Sequence, residues 1–371
     1  MKKHLVLLTI FALAATSAFA PREAHAASFT IDCGASGPPT ALQAQISSFG
    51  STPNNQINVL GTCVGDLDVS RTDRLTITNL SLTGSLSSNA ANTLRLFNLT
   101  LNGSLTILAT RNSSVSTATI RGDIYIQRGS QVSFTALTGN PWTDSTGTHD
   151  PVFACAGQSE CSLNGAVLTG TGTSSTSVGV VAASGSRLNF YSGTITGFGT
   201  GLLSWNNAIA FVMPICDPLV IRGNREMGVS VSDSGMVKIA GMSAQDAALN
   251  GCTVTTPITV DINANGKYGV LADGGGNAYL QLARITGHTL DGVRVQHGSI
   301  MRIRNSQIDA ATTSRRSARV KASAHLYFDE QEAGPTARST LSGPVCVTTS
   351  GTVDTENSAT TLTIVRTCSG P

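Results

Sequence analysis

The chain has 371 residues, of which 40% are hydrophobic, 12% charged and 5% aromatic, with 38 Gly and a formal net charge of +2. Globular chains carry about 25% charged residues, so this one fills its exposed positions with Ser, Thr, Asn and Gly and reads as short strands and turns rather than helices. The composition excludes a basic nucleic-acid binder and an acidic disordered tail, and it is apolar enough to bury a core.

Lys2 and Lys3 precede an apolar run from Leu5 to Ala20, too short for a comfortable membrane span and ordered like a secretory signal. Pro21 disfavours cleavage after Ala18-Phe19-Ala20, so Ala24-His25-Ala26 is the expected site, residues 1–26 the signal and residues 27–371 a single β domain with end caps. Loss of Lys2, Lys3, Arg22 and Glu23 leaves the mature chain formally neutral, and secretion or a periplasmic location is expected. No membrane span is expected after signal removal. All 8 Cys follow the signal, an even number in a chain sent to an oxidising compartment. Joining sequence neighbours gives Cys33–Cys63, Cys155–Cys161, Cys216–Cys252 and Cys346–Cys368, with other connectivities open. No Cys or His spacing suits zinc, and neither a metal nor a cofactor is expected.

After Pro38 and Pro39, the spacing of Leu42, Ile46 and Phe49 predicts a short amphipathic helix over Thr40–Phe49, placed to plug one end of the fold. From there a pattern recurs: an apolar residue, a second five residues later, then Gly two beyond. Instances are Ile77/Leu82/Gly84, Leu96/Leu101/Gly103, Val115/Ile120/Gly122, Val132/Leu137/Gly139, Leu163/Leu168/Gly170, Phe190/Ile195/Gly197 and Leu280/Ile285/Gly287, with Ile303/Ile308 a degraded copy. The first steps are 19, 19 and 17 residues and later ones are longer, a period that signals a solenoid. Apolar and polar residues alternate on both sides of Asn79, Asn98 and Asn305, which is strand periodicity broken by a corner that Asn tolerates in a left-handed conformation. Coil boundaries near Cys252–Pro257 cannot be assigned from this pattern.

Repeats this short bury their apolar face only by stacking, about 4.8 Å per rung, into a parallel β-helix. With Gly269-Val270 through Gly274-Gly275, Ile285-Thr286-Gly287 and Asp291-Gly292-Val293, the chain resembles the right-handed parallel β-helix, pectate-lyase-like superfamily over residues 30–345. The resemblance implies an all-β, single-stranded right-handed parallel β-helix with a short N-terminal capping helix. The stretch after Gly343, with Thr361–Val365 between Cys346 and Cys368, is expected to close the far end.

Three regions are able to carry chemistry. Outward positions form two columns, Thr76, Arg95, Ser114, Gln131, Ser162, Asn189, Tyr279, Arg302 and Thr78, Phe97, Ser116, Ser133, Asn164, Tyr191, Gln281, Arg304. Their hydroxyls, amides, rings and guanidinium groups suit sugars, and they equally suit the solvated exterior of any β-helix. The interrupted stretch Gly139–Cys155 brings Trp142, His149 and Asp150, a set for sugar binding or proton exchange, or a stapled surface loop. From Arg284 to Lys321, Arg294, Arg302, Arg304, Arg315, Arg316 and Arg319 outnumber Asp291 and Asp309, with His288 and His297 interleaved, which reads as a polyanion surface or an exposed basic end.

Polygalacturonase-like hydrolases of this superfamily share Asn-Thr-Asp, Asp-Asp, Gly-His-Gly and Arg-Ile-Lys segments. Only Gly287-His288-Thr289 and Arg302-Ile303-Arg304 remain here, without the paired acids that hydrolysis needs. Alginate-epimerase-like enzymes carry Asp-Pro-His, whereas this chain has His149-Asp150-Pro151. Asp66, Asp68 and Asp73 are scattered acids rather than a calcium cluster. The expectation is an exported β-helix that binds an extracellular or envelope polysaccharide, acidic in one version, through Tyr191, Tyr279, Gln281, Arg294, Trp142, His149 and Asp150. Any reaction is expected to be a lyase or epimerase step at Arg302, Arg304 and His288. The alternative is a noncatalytic structural or adhesin-like β-helix; neither reading includes a nucleic-acid partner, and the oligomeric state is open.

Overall fold

A computed structural model describes residues 28–49, 54–70, 72–144, 147–310, 316–329, 339–348, 350–355 and 364–365. The expected signal segment lies outside them. The chain winds as a parallel β-helix in which each coil supplies up to three short strands, and like strands of successive coils pair in parallel. Faces A and B run together in one sheet, because a strand such as Thr93–Asn102 crosses the corner between them without a break. Face C is a separate sheet that includes Leu105–Leu108, Asp291–Val295 and Arg316–Val320.

Alternation sends every second residue inward, so Leu75 and Ile77, Leu94 and Leu96, and Ser113 and Val115 stack on face A over face B pairs such as Leu99 and Leu101. Asn79 and Asn98 take up left-handed backbone at the A–B corner, φ 59° and 54°, and Asn305 does the same higher up, φ 46°. The Asn98 side chain donates to Asn79 at 2.9 Å, and Asn79 to Asn58 at 2.8 Å, so the corner also forms an amide ladder along the outside.

The helix Thr40–Phe49 forms as its spacing predicts, with Leu42, Ile46 and Phe49 buried and Phe49 against Phe29 at 5.4 Å. Cys33–Cys63, Cys155–Cys161 and Cys216–Cys252 are bonded as expected. Cys346 is disulfide-bonded too, and Cys368, its expected partner, lies outside the described residues. Val345–Val347 and Thr352–Asp354 add further rungs at the carboxy-terminal end.

One coil departs from the sequence register. Gly139 pairs with Ile120, not with Gly122, and Phe134 rather than Val132 pairs with Val115, so the third step is again nineteen residues. The Leu168 side chain occupies the space that a side chain at 139 would fill. The outward columns therefore read Ser114, Ser133, Ser162 and Ser116, Thr135, Asn164, replacing Gln131 and Ser133 in the expected columns.

Two further coils lie where the spacing shows none. Their face A strands are Ile209–Val212 and Met236–Ala240, and their face B strands are Leu219–Arg222 and Val260–Asn263. Insertions at the A–B corner, 213–218 and 241–259, hide the five-residue interval. The second contains the helix Ala244–Leu249, capped by Ser243, and Cys216–Cys252 fastens the two insertions together. Ala247, Cys252 and Ile258 form a small core of their own there.

Candidate functional site

The outer surface divides into regions of different character. On the amino-terminal half of face A, one column places Ser114, Ser133 and Ser162 on consecutive rungs between Arg95 and Asn189. Three small side chains in a row lower the floor, and a shallow groove of about 530 Å³ results, rimmed by Arg95, Gln131, Glu160 and Tyr191. A second depression of about 480 Å³, lined by Gln56, Arg74, Thr76 and Thr93, joins it at Arg95. The Tyr191 ring has no aromatic or cationic partner among the described residues.

The carboxy-terminal half of face A is filled instead. Phe211, Lys238, Tyr279, Arg302 and Tyr327 follow one another in the same column, alternating ring and cation. Lys238 lies 5.7 Å from the Tyr279 ring centre and Arg302 5.5 Å from that of Tyr327. Tyr279 also donates its hydroxyl proton to Gln281 at 3.0 Å. Tyr279, one of the expected ligand-binding residues, therefore has its ring beside a cation of the adjacent rung.

Arg302 and Arg304 do stand on face A, but His288 does not join them. It is 1% exposed and lies inside the corner between faces B and C. There Asn224 and Asn265 form an internal ladder, with the Asn265 Oδ1 accepting from both the backbone N–H and the side chain of Asn224, and Asn265 Nδ2 donating to the Ile221 carbonyl at 3.2 Å. His288 occupies the same position one rung on, and its Nε2–H donates to the Ile262 carbonyl at 3.1 Å. It is therefore a ladder residue, out of reach of an external ligand.

Burial disfavours the imidazolium and pushes the His288 pKa down to about 4, against the smaller opposing effect of backbone contacts at Ile262 and Asn265. An unfolded histidine titrates near 6.5. Between those values the unfolded chain binds a proton that the native chain refuses, so stability is full above the upper value and falls as pH drops towards the lower, by about 3 kcal/mol in total. Replacing His288 by Asn, the ladder side chain, is expected to flatten this part of the curve. Denaturation followed from pH 7 to 4 checks it; identical slopes for the two proteins would refute the assignment.

The basic segment is split by the winding. Arg284 points out from face B, Arg302 and Arg304 from face A and Arg294 from face C, where Arg319 on the adjacent rung is buried and Lys321 follows just beyond the strand. On face C, Asp291 is fully buried and accepts from Arg316 Nε at 2.6 Å. Arg294 lies over the Tyr268 ring at 5.0 Å, hydrogen-bonds its hydroxyl, and donates to Gln296 at 2.8 Å. Burial would raise the Asp273 pKa, but hydrogen bonds from Gln296, His297 and the Gly274 N–H hold it below the ordinary carboxylate value. Burial first, and then repulsion from Arg316, lower that of Arg319; burial and then Arg294 lower that of Lys321.

The hairpin Trp142–Asp144 with Gly147–His149 brings two predicted residues together, the Trp142 and His149 rings stacking at 4.6 Å. Asp150 turns to the next coil and accepts from the Thr171 N–H at 2.5 Å. Asp66 and Asp68 serve local structure, the first accepting from the Ser85 N–H and the second from Ser70. Among the described residues no group of His, Cys, Asp or Glu has the arrangement of a metal site. No helix among them is long and apolar enough to cross a membrane.

No family model and no curated protein matches the chain. Among solved structures it is similar to a mutant of the periplasmic alginate epimerase AlgG, at 10% identity over 84% of this chain and 76% of that one, with a TM-score of 0.42.

Proposed function

We propose that the protein is exported and binds an extracellular or envelope polysaccharide along the serine-floored groove of face A. The observation that carries this reading is the uninterrupted polar floor of Ser114, Ser133 and Ser162 beside the partly exposed Tyr191 ring. Hydroxyl and amide groups on successive rungs exchange hydrogen bonds with sugar hydroxyls, and a tyrosine ring stacks beneath a sugar. The formed disulfides fit an oxidising compartment. The role is binding: His288, one of the three residues of the sequence-predicted catalytic group, is sealed inside the coil.

Ser133→Trp fills the groove floor with an outward side chain. On an array of bacterial and plant polysaccharides, it is expected to lower affinity for every bound glycan by more than about tenfold, the loss of a single well-made contact or more. Thr106→Trp, on face C, is expected to bind like the parent. Equal binding by Ser133→Trp and the parent would overturn the groove, and failure of the parent to bind any glycan would favour a structural scaffold.

A further inference from the structure

Resting on the groove reading above, we infer that Arg74 and Arg95 form an anion subsite at its amino-terminal end, and that the ligand is a heteropolysaccharide with widely spaced acidic groups. Arg74 pairs with Thr93 and Arg95 with Thr76, so the two arginines stand diagonally across adjacent rungs on one outer face. Diagonal neighbours on a sheet are about 7–8 Å apart, within reach of two long side chains converging on one anion. Both line the same depression, whose other walls are Asn54, Gln56, Leu75, Thr76 and Thr93, with no carboxylate.

Among the described residues neither arginine has a salt bridge, a side-chain hydrogen bond or a ring contact. Asp73, next to Arg74 in the chain, is occupied by the Asn92 side chain at 2.8 Å. The contrast with neighbouring cations is chemical: Arg187 lies over Phe211 at 4.7 Å and beside Glu160 at 3.9 Å, and Lys238 and Arg302 lie over tyrosines. Two forked, unengaged guanidinium groups in a concave site suit a carboxylate or sulfate substituent, which accepts paired charge-assisted hydrogen bonds.

The remainder of the groove sets the spacing. From Arg95 the floor runs through Ser114, Ser133 and Ser162 to Asn189, four rung steps or about 19 Å. Beyond Arg95 no cation lines that floor; Glu160 lines it, and Arg187 at its far edge is held by Glu160 at 3.9 Å and by Asn189. A uniformly charged polymer would place an anion beside Glu160 and leave most of its charges unmatched. A neutral polymer would leave the arginine pair unused. One acidic substituent on Arg74 and Arg95, followed by neutral sugars on the serines, satisfies both parts.

The test uses the full mature chain on an array carrying neutral, sparsely acidic and uniformly acidic polysaccharides. Sparsely acidic polymers are expected to bind tightest, with affinity falling as salt is added. Arg74→Gln with Arg95→Gln is expected to weaken them more than about tenfold, in line with the strength of charge-assisted hydrogen bonds. Arg121→Gln with Arg222→Gln, which removes equal charge from face B, is expected to change little. Tightest binding of a uniform polyuronate, or unchanged affinity in the Arg74/Arg95 double variant, would overturn the subsite. If Ser133→Trp abolishes binding while the double variant does not, the subsite alone is lost. If Ser133→Trp has no effect, the groove falls and the subsite with it.

Discussion

Arg316→Met is expected to destabilise the carboxy-terminal third of the solenoid by about 3–5 kcal/mol, the range for removing one partner of a buried ion pair. Asp291 has no exposed surface, and its Oδ1 is 2.6 Å from Arg316 Nε. Its Oδ2 is buried with no hydrogen-bond partner among the described residues, so the carboxylate depends on nearby positive charge more than on donors. Methionine keeps most of the side-chain volume and deletes the charge, leaving an anion in a place water cannot reach. Arg319 and Lys321 are the remaining cations that Asp291 attracts, but burial, the largest influence on each, and repulsion from Arg294 already disfavour both as cations. Combining Asp291→Asn with Arg316→Met is expected to recover most of the loss, because no charge then remains to be compensated. Rungs of a solenoid communicate chiefly with their neighbours, so proteolysis is expected to open the variant from Tyr268 onward while the coils around Ser133 stay protected. A single variant as stable as the parent would show that the pair contributes nothing.

The architecture is legible in the sequence because a stacked coil repeats its constraints. Gly84, Gly103 and Gly122 mark one corner, and the apolar pairs five residues apart mark the bend between faces A and B. The disulfides between neighbouring cysteines and the helix carrying Leu42, Ile46 and Phe49 are local, and local spacing suffices for both. What spacing cannot convey is anything that depends on insertions or on the identity of stacked neighbours. The coils at Ile209–Val212 and Met236–Ala240 vanish from the pattern because their corners carry extra residues. His288 follows Ile285 by the same three residues that separate Asn265 from Ile262, so alignment on the isoleucines, once the Val260–Asn263 coil is known, would have placed it in the interior ladder. The groove escapes detection for a different reason: it arises from the coincidence of three serines in one column, and a two-residue error in the register of one coil breaks that column.

Two glycines from the same sequence pattern should therefore behave differently. Gly103 has φ +153°, in a region open essentially to glycine alone, and an added Cβ would lie 2.2 Å from the Gly84 carbonyl oxygen and 2.6 Å from its carbonyl carbon. Those atoms are backbone of the rung beneath, so they yield only if adjacent coils separate. Gly103→Ala is expected to cost about 2–6 kcal/mol, combining backbone strain with overpacking. Gly122 repeats the contact one rung above, its own added Cβ falling 2.2 Å from the Gly103 oxygen, so displacing Gly103 also disturbs the next step. At Gly139 an added Cβ would meet the Leu168 Cδ2 at 2.6 Å, the far end of a flexible side chain. Gly139→Ala is expected to cost less than about 1.5 kcal/mol after that leucine changes rotamer. Chemical denaturation of the two variants side by side separates the cases. Equal losses would mean that Gly139 shares the corner of Gly84, Gly103 and Gly122, which would move the 131–139 coil by two residues and dissolve the serine column on which the ligand groove depends.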